Sequence, residues 1–519
     1  MTFTLNYAST DVDAELNEAF VEALRIARSA RADVLPHVIA GAELFDGEIF
    51  TRADPAGPDV VVSQAHSATA ATVAEAVAAA REASRGWRQL PFAQRIELLR
   101  RAKARFVDNT VMIAATISAE TGKTRIEALA EAAESVDLIE HYCAQLELNG
   151  GFVTTLKSTQ TDTTTDVLRP YGVFGVLAPF NFPVALAINM TVAALVTGNT
   201  VVLKPSDKTP ASTAVAAHLL STDLPVGVLN LVHGGTSVGE LVATAEIDGL
   251  AFTGSAQVGW QLIRELSSGP FGKPVLAEMG GNNPAIVTAT ADLDDAVEGI
   301  VRSAFGFSGQ KCSATRRVIV DESVYDELLS ALSTRIAQLV VGDPAEQDVF
   351  VGPVIDEQIL ERVRSAIETA RADGATVTGG PIDDRPGHYV APTVITGLPL
   401  GHAVTRDELF APVITVTAVD GINAALAEAN AVDYGLSAGI FTANEHEQQQ
   451  FLDEIQAGVV YVNRRAGATT GAWPGLQSFC GWKASGSSGK GGLGPWYLQG
   501  FLREQNRTIS TANILGAGE

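Results

Sequence analysis

Cys312, one of three cysteines in 519 residues, sits in the run GFSGQKCSATRR, between a lysine and a serine and close to two glycines. A thiol suits covalent attack on a carbonyl near neutral pH, because its ordinary pKa of about 8.5 needs only a modest local shift to give a thiolate. A free cysteine is as often a small buried hydrophobe, so position 312 alone leaves both readings open. A second run, GSAQVG at 254–259, follows an apolar stretch and opens a helical pattern. Free amides at such a helix start can face a cofactor phosphate, although glycine before serine is also an ordinary N-cap. The GxGxxG fingerprint of dinucleotide-binding turns is absent from this turn.

The flanking residues tip the balance through a resemblance. GQKCSA is similar to the segment around the catalytic cysteine of the aldehyde dehydrogenase superfamily, and further matches follow in APFNFP, KPSDKTP, AFTGSAQVG, LAEMGGNNP, ELFAPV and QSFCGWKASG. Together they cover most of the chain from Tyr171 onward. The resemblance implies an α/β fold with a Rossmann-type NAD domain, an α/β catalytic domain and a β-ribbon oligomerisation element. It also implies NAD as cofactor and Cys312 as a nucleophile that attacks an aldehyde. Hydride would leave the thiohemiacetal for the nicotinamide, and water would cleave the resulting thioester.

Carried onto the matching positions, Glu278 is the base that activates that water. The side-chain amide of Asn181, with the backbone N–H of Cys312, meets the charge developing on the aldehyde oxygen. Lys204 and Asp207 bind the adenosine ribose; Gly254, Ser255 and Gly259 form a GSxxxG turn at the pyrophosphate; Glu408 and Phe410 serve the nicotinamide side. Asp207 stands where the family commonly has glutamate. Either carboxylate accepts from a free ribose hydroxyl and repels a 2′-phosphate, which favours NAD over NADP. Asn282 stands where the family's GGKNP pattern has lysine. If that lysine holds the base segment in place, the replacement lowers turnover.

Within the superfamily, NYAST near the start, GFSGQKCSA, and TTGAWPGLQSFCGW followed by KASG resemble the 1-pyrroline-5-carboxylate dehydrogenases, which oxidise L-glutamate γ-semialdehyde to L-glutamate in proline catabolism. This implies a small carboxylated aldehyde as substrate, with its α-carboxylate on Ser313, Gly471 and Ala472 and its aliphatic part against Phe182 and Phe479. A hydroxyl and backbone N–H groups bind a carboxylate without bulk. Here too the chain departs, reading SFCG where PFGG is usual, so Ser478 and Cys480 replace proline and glycine. Two alternatives follow from the departures: a dehydrogenase of another aldehyde such as succinate semialdehyde, and a catalytically idle interaction protein of the same fold. The complete set Asn181, Glu278 and Cys312 weighs against the second.

These groups need a scaffold. ATAATVAEAVAAAREASRGWRQLP and the segments after it repeat helical spacing, giving an alanine-rich helical block over about 68–147. The threonine-rich run GFVTTLKSTQTDTTTDVLRP reads as an extended ribbon that needs another domain or subunit to cover it. From Tyr171, short apolar runs such as GVFGVLAPF and TVVLK alternate with helical patterns, as in a parallel sheet with right-handed crossovers. A second alternating block begins near residue 275. The expected division is 1–150 and 170–275 for NAD binding, 151–169 for the ribbon, 276–475 for catalysis, and 476–519 for an active-site loop and oligomerisation segment. At least a homodimer is implied, because the ribbon needs a partner.

With 36 Lys and Arg against 60 Asp and Glu, the net charge of −24 repels phosphate backbones and anionic lipid, so neither nucleic acid nor membrane is expected as a partner. Three widely spaced cysteines fit neither a disulfide scaffold nor a thiolate metal site, and suit a reducing compartment. The first 20 residues lack a basic start and an apolar run, so a cytoplasmic protein is expected. The apolar stretch at 183–198 is shorter than a bilayer span and reads as a buried helix.

Overall fold

The computed structural model describes residues 6, 7, 9, 12–29, 34–467 and 473–510. The apolar runs after Tyr171 become the strands Val173–Leu177, Thr200–Lys204, Leu229–Leu231 and Gly249–Thr253, each buried along its whole length, followed by Val275–Glu278. Continuous burial without alternation is the mark of parallel strands covered on both faces. In space the order runs Val275–Glu278, Gly249–Thr253, Val173–Leu177, Thr200–Lys204, Leu229–Leu231, all parallel. The chain builds outward from Val173–Leu177 in one direction, then returns to fill the other side. The crevice beyond the carboxyl ends, where the order reverses, is where such sheets bind ligands.

Two three-residue strands, His37–Ile39 and Ala42–Leu44, extend this sheet antiparallel at its far edge. Before them the helix Ala14–Ser29 is amphipathic, burying Leu16, Phe20 and Leu24. A hairpin of Ile49–Asp54 and Gly57–His66 follows. The alanine-rich block forms four helices, Ala70–Gln89, Phe92–Asp108, Thr110–Thr121 and Arg125–Leu148. Thr69 and Thr72 make a reciprocal capping box at the first, and Gly122, left-handed at φ +75°, ends the third. The apolar stretch at 183–198 is the helix Ala185–Val196, with every residue except Leu186 buried. No helix among the described residues is long and apolar enough to cross a membrane.

The second sheet runs Thr376–Ile382, Tyr389–Thr396, Val413–Val419, Thr315–Asp321, Asn283–Val287, Ser437–Phe441, Val459–Val462, parallel except at the first pair. Only four residues separate Val275–Glu278, the edge of the first sheet, from Asn283–Val287 in the second. The threonine-rich run is extended as expected, in strands Val153–Thr155 and Asp162–Pro170. The longer one pairs residue for residue with Leu502–Ser510 near the end of the same chain, so one of its edges is covered from within.

Candidate active site

Cys312 lies between a 3-10 turn, Gly306–Gly309, and the strand Thr315–Asp321. Phe307, Ser308 and Gly309 are all left-handed, with φ of +49°, +53° and +66°. Side-chain-bearing residues rarely adopt that region, so the surroundings must hold them there. They do: Ser308 Oγ donates to the Gly352 carbonyl at 2.7 Å, and Arg316 donates to the carbonyls of Gly309 and Ala411. A Cβ on Gly309 would lie 2.4 Å from the Ala411 oxygen. Beyond the turn, Asn283 clamps the loop, its Nδ2 donating to the carbonyls of Cys312 at 2.7 Å and Ala314 at 2.9 Å while its Oδ1 accepts from the Ser437 N–H.

Glu278 ends the edge strand of the first sheet and turns into a cavity of about 530 Å³ that Cys312, Ser313, Phe182 and Phe479 also line. Four residues predicted from sequence to meet the substrate, together with the candidate base, thus line one cavity. Burial pushes the Glu278 carboxyl up to about 7, opposed by the Gly492 N–H that donates to Oε1 at 2.7 Å. Burial also pushes the Cys312 thiol up to about 12, and the carboxylates of Glu408 and Glu278 act in the same direction. The sulfur therefore rests protonated, and reaction requires that proton to leave as the new bond forms. Asn181 is buried beside this loop, its Nδ2 donating to the Gln310 carbonyl at 3.1 Å.

Other cavity residues went unread in the sequence. Glu134 accepts from the Tyr7 hydroxyl, and burial pushes its carboxyl up to about 8. Tyr7, within the NYAST run, packs edge-on against Phe182 at 5.8 Å and Trp473 at 5.9 Å. Nothing local marks such a residue, because its partners stand more than a hundred positions away. Lys311 also lines the cavity and pairs with Glu127 at 2.7 Å. Gly471 and Ala472 lie outside the described residues. Cys480 borders the site without lining the cavity; burial and the nearby Glu278 push its thiol up.

A separate cleft of about 810 Å³ opens at the point where the strand order of the first sheet reverses, lined by Lys204, Asp207, Gly254 and Ser255 as expected. Ser255 N-caps the helix Ala256–Ser267, its Oγ accepting from the Val258 N–H. Lys204 Nζ donates to the carbonyls of Pro205 at 2.6 Å and Gly234 at 2.9 Å, and burial lowers it to about 8. Gly259 does not line the cleft itself; a Cβ there would meet Met279 Sδ at 2.4 Å, so its lack of a side chain lets the helix pack closely. Gly235, Thr236, Gly239 and Glu240 line the cleft too, from the start of the helix Thr236–Thr244. The strand–Gly-Gly–helix order of LVHGGTSVGE was the signal for them.

Glu408 and Phe410 do not line that cleft; the Glu408 carboxylate stands close enough to Cys312 to add to the upward push of burial on its thiol. Glu408 Oε1 accepts from the Gly281 N–H at 3.0 Å, and a Cβ on Gly280 would come within 2.0 Å of this carboxylate. The paired glycines of LAEMGG thus let a carboxylate cross the backbone. Phe410, left-handed at φ +57°, packs edge-on against Phe180 at 5.9 Å. Asn282 Nδ2 donates to the Thr405 carbonyl at 2.9 Å and its own carbonyl accepts from Arg317, so it joins the segment after Glu278 to the one before Glu408.

Residues 45–506 match the model of the aldehyde dehydrogenase family. A protein named 1-pyrroline-5-carboxylate dehydrogenase from Geobacillus sp. (strain WCH70) is 36% identical over 510 residues, 96% of this chain and 98% of that one. The solved structure of 1-pyrroline-5-carboxylate dehydrogenase from Thermus with bound NAD superposes with a TM-score of 0.92 at 32% identity, covering 98% of this chain and 99% of that one. Proline utilization A from Bdellovibrio bacteriovorus superposes with a TM-score of 0.93 at 30% identity, and this chain spans 53% of its length. A likeness carried along nearly the whole chain, in residues and in backbone alike, makes this chain a member of the aldehyde dehydrogenase family.

Proposed function

We propose that the chain oxidises L-glutamate γ-semialdehyde, the open form of 1-pyrroline-5-carboxylate, to L-glutamate with NAD as the hydride acceptor. The observation that carries this reading is the single cavity in which Cys312, Glu278 and Ser313 meet between Phe182 and Phe479. End-to-end similarity to proteins named for that substrate supports it. The sulfhydryl proton is lost to solvent as sulfur bonds to the aldehyde carbon, which leaves Glu278, ionised above about pH 7, free for the later step. The donors for the oxygen on which charge builds are the Cys312 backbone N–H and the Asn181 side-chain amide, one N–H of which goes to the Gln310 carbonyl and leaves the other for this role. Glu278 then takes a proton from the water that cleaves the thioester, releasing the acid.

Ser313 offers its hydroxyl to the α-carboxylate, with Gly471 and Ala472 as its companions. Glu134, protonated below about pH 8, presents a polar group to the other substituent of that carbon. The cleft at the switch point fits NAD: two helix starts supply amides for the pyrophosphate, and Lys204 and Asp207 supply the ribose partners. When bound, NAD accepts the hydride. On this reading the first sheet and the helical block form the cofactor domain and the second sheet the catalytic domain. The antiparallel strands at 153–155, 162–170 and 502–510 would assemble the chain into at least a dimer.

The test is NADH formation from freshly prepared L-1-pyrroline-5-carboxylate, with Cys312→Ala as control and succinate semialdehyde as comparator. Efficient oxidation lost in Cys312→Ala is the expected result. Turnover of the comparator alone would overturn the substrate and the role of Ser313 while leaving the reaction class.

A further inference from the structure

We propose that Tyr142 and Asn189 are positioning residues for the Glu278 carboxylate, acting through a backbone strap at Gly492–Leu493. The proposal rests on the reading of Glu278 as the base that activates the deacylating water. Glu278 Oε1 accepts from the N–H of Gly492 at 2.7 Å. The next residue, Leu493, is held in the left-handed region at φ +65°. An apolar side chain gains nothing from that conformation, so the strap must be kept there by its partners. The N–H of Leu493 donates to the Tyr142 hydroxyl at 3.1 Å, and that hydroxyl donates in turn to Asn189 Oδ1.

Both residues are fully buried, Tyr142 on the helix Arg125–Leu148 and Asn189 on Ala185–Val196. The ring of Tyr142 packs against Tyr497 with centroids 5.8 Å apart. On its other flank the strap is pinned by the Phe479 N–H, which donates to the Gly492 carbonyl at 2.9 Å. The fit at Gly492 is close: a Cβ there would stand 2.8 Å from Asn189 Nδ2 and 3.1 Å from Glu278 Oε1. A substrate-cavity wall, an asparagine and the base carboxylate therefore converge on one glycine.

The chemical consequence follows from what else faces Glu278. The titratable groups that share its field are the thiols of Cys312 and Cys480 and the hydroxyls of Tyr142 and Tyr497, all neutral near pH 7, while Glu134 and Lys311, which line the same cavity, are engaged by Tyr7 and Glu127. Burial disfavours the carboxylate, and the Gly492 N–H is the interaction that favours it. If the Tyr142 hydroxyl is removed, Leu493 relaxes from its left-handed turn and carries the Gly492 N–H away. Glu278 then holds its proton to higher pH, and water activation fails over a wider acid range. Acylation by Cys312 does not pass through the strap and is spared.

The experiment is the pH profile of steady-state turnover for full-length Tyr142→Phe, which keeps the ring and removes one oxygen, together with its pre-steady-state NADH burst. The expected result is an acidic limb displaced upward by about one pH unit, with burst amplitude and NAD affinity unchanged. Asn189→Ser displaces the limb in the same direction and serves if Tyr142→Phe does not fold. A limb that stays in place in a folded variant, with turnover either unaltered or lowered equally at all pH, overturns the proposal. Failure of the base reading looks different: Glu278→Gln would then turn over like the parent protein, and the strap would have nothing to position.

Discussion

At the scale of single residues, Glu278 trades stability for chemistry. Its carboxyl, ordinarily near 4.5, stands at about 7 because the folded chain buries it. Between those values the folded state holds a proton that the unfolded chain has released. The stabilising contribution is thus whole below about pH 4.5 and is lost as pH rises through 7. Above that point the buried charge costs about 3 kcal/mol. Replacing Glu278 with glutamine should raise the melting temperature at pH 8.5 and leave it nearly unchanged at pH 4.5. The same variant should give an NADH burst near one per active site followed by turnover slowed about 100-fold or more, since the thioester forms and is not cleaved. A melting temperature equally unmoved at both pH values would show that the carboxylate is not strained by burial. The positions of Cys312, Glu278, Ser313 and Phe182 were legible because each lies inside a short run that resembles a segment of the family. Tyr142, Asn189 and Tyr7 were not, because a buried hydroxyl or amide has no local pattern and acquires its role only when distant segments fold against it.

The elements that carry these residues were legible to differing degrees. Buried apolar runs announced the parallel strands, and Ser255 marked a helix start by ordinary capping chemistry. The turn before the nucleophile was hidden: Phe307 and Ser308 are types that seldom turn left-handed, and only the carbonyl and arginine contacts around them fix that shape. Asn283 was hidden for a related reason, since a loop clamp of three hydrogen bonds reads in sequence as an asparagine before proline. Gly309 tests this element. Alanine there must adopt φ +66° with its Cβ 2.4 Å from the Ala411 oxygen and 2.7 Å from Arg316 Nη1, so the turn has to shift and take Cys312 with it. Gly309→Ala should lower kcat about 10- to 100-fold with NAD affinity retained, because a nucleophile displaced by an ångström loses its alignment while the cofactor cleft stands on the other sheet. Parallel losses of kcat and NAD binding would mean that the turn supports the whole fold rather than the cysteine.

At the scale of the whole molecule, the three-stranded antiparallel sheet presents a face that the body of the chain leaves open. Residues paired across antiparallel strands project from the same side. The register sets Val153 opposite Val167 and Gln505, and four residues along it sets Ile509 opposite Thr163. Arg169 pairs with Arg503, and Thr165 with Arg507, on that same side. Val153 and Ile509 are 55% and 65% exposed, so apolar groups and three arginines share one outward face of a chain whose net charge is −24. Burial first, and then the neighbouring charges of Arg507, Arg88 and Arg503, lower the affinity of Arg169 for its proton. A basic, partly apolar ribbon on an acidic body suits a second copy of the same chain better than solvent, because it relieves both the exposed strand and the like-charge crowding. The double variant Val153→Asp, Ile509→Asp alters only exposed side chains, so each chain should fold as before. Light scattering should then report a fall from a dimer or larger assembly to a single chain. Both aspartates stand far from the cavity in sequence, and thioester formation should persist in the separated chains. An unchanged mass would place the assembly contact on some other face and leave this ribbon as a covering that the chain folds for itself.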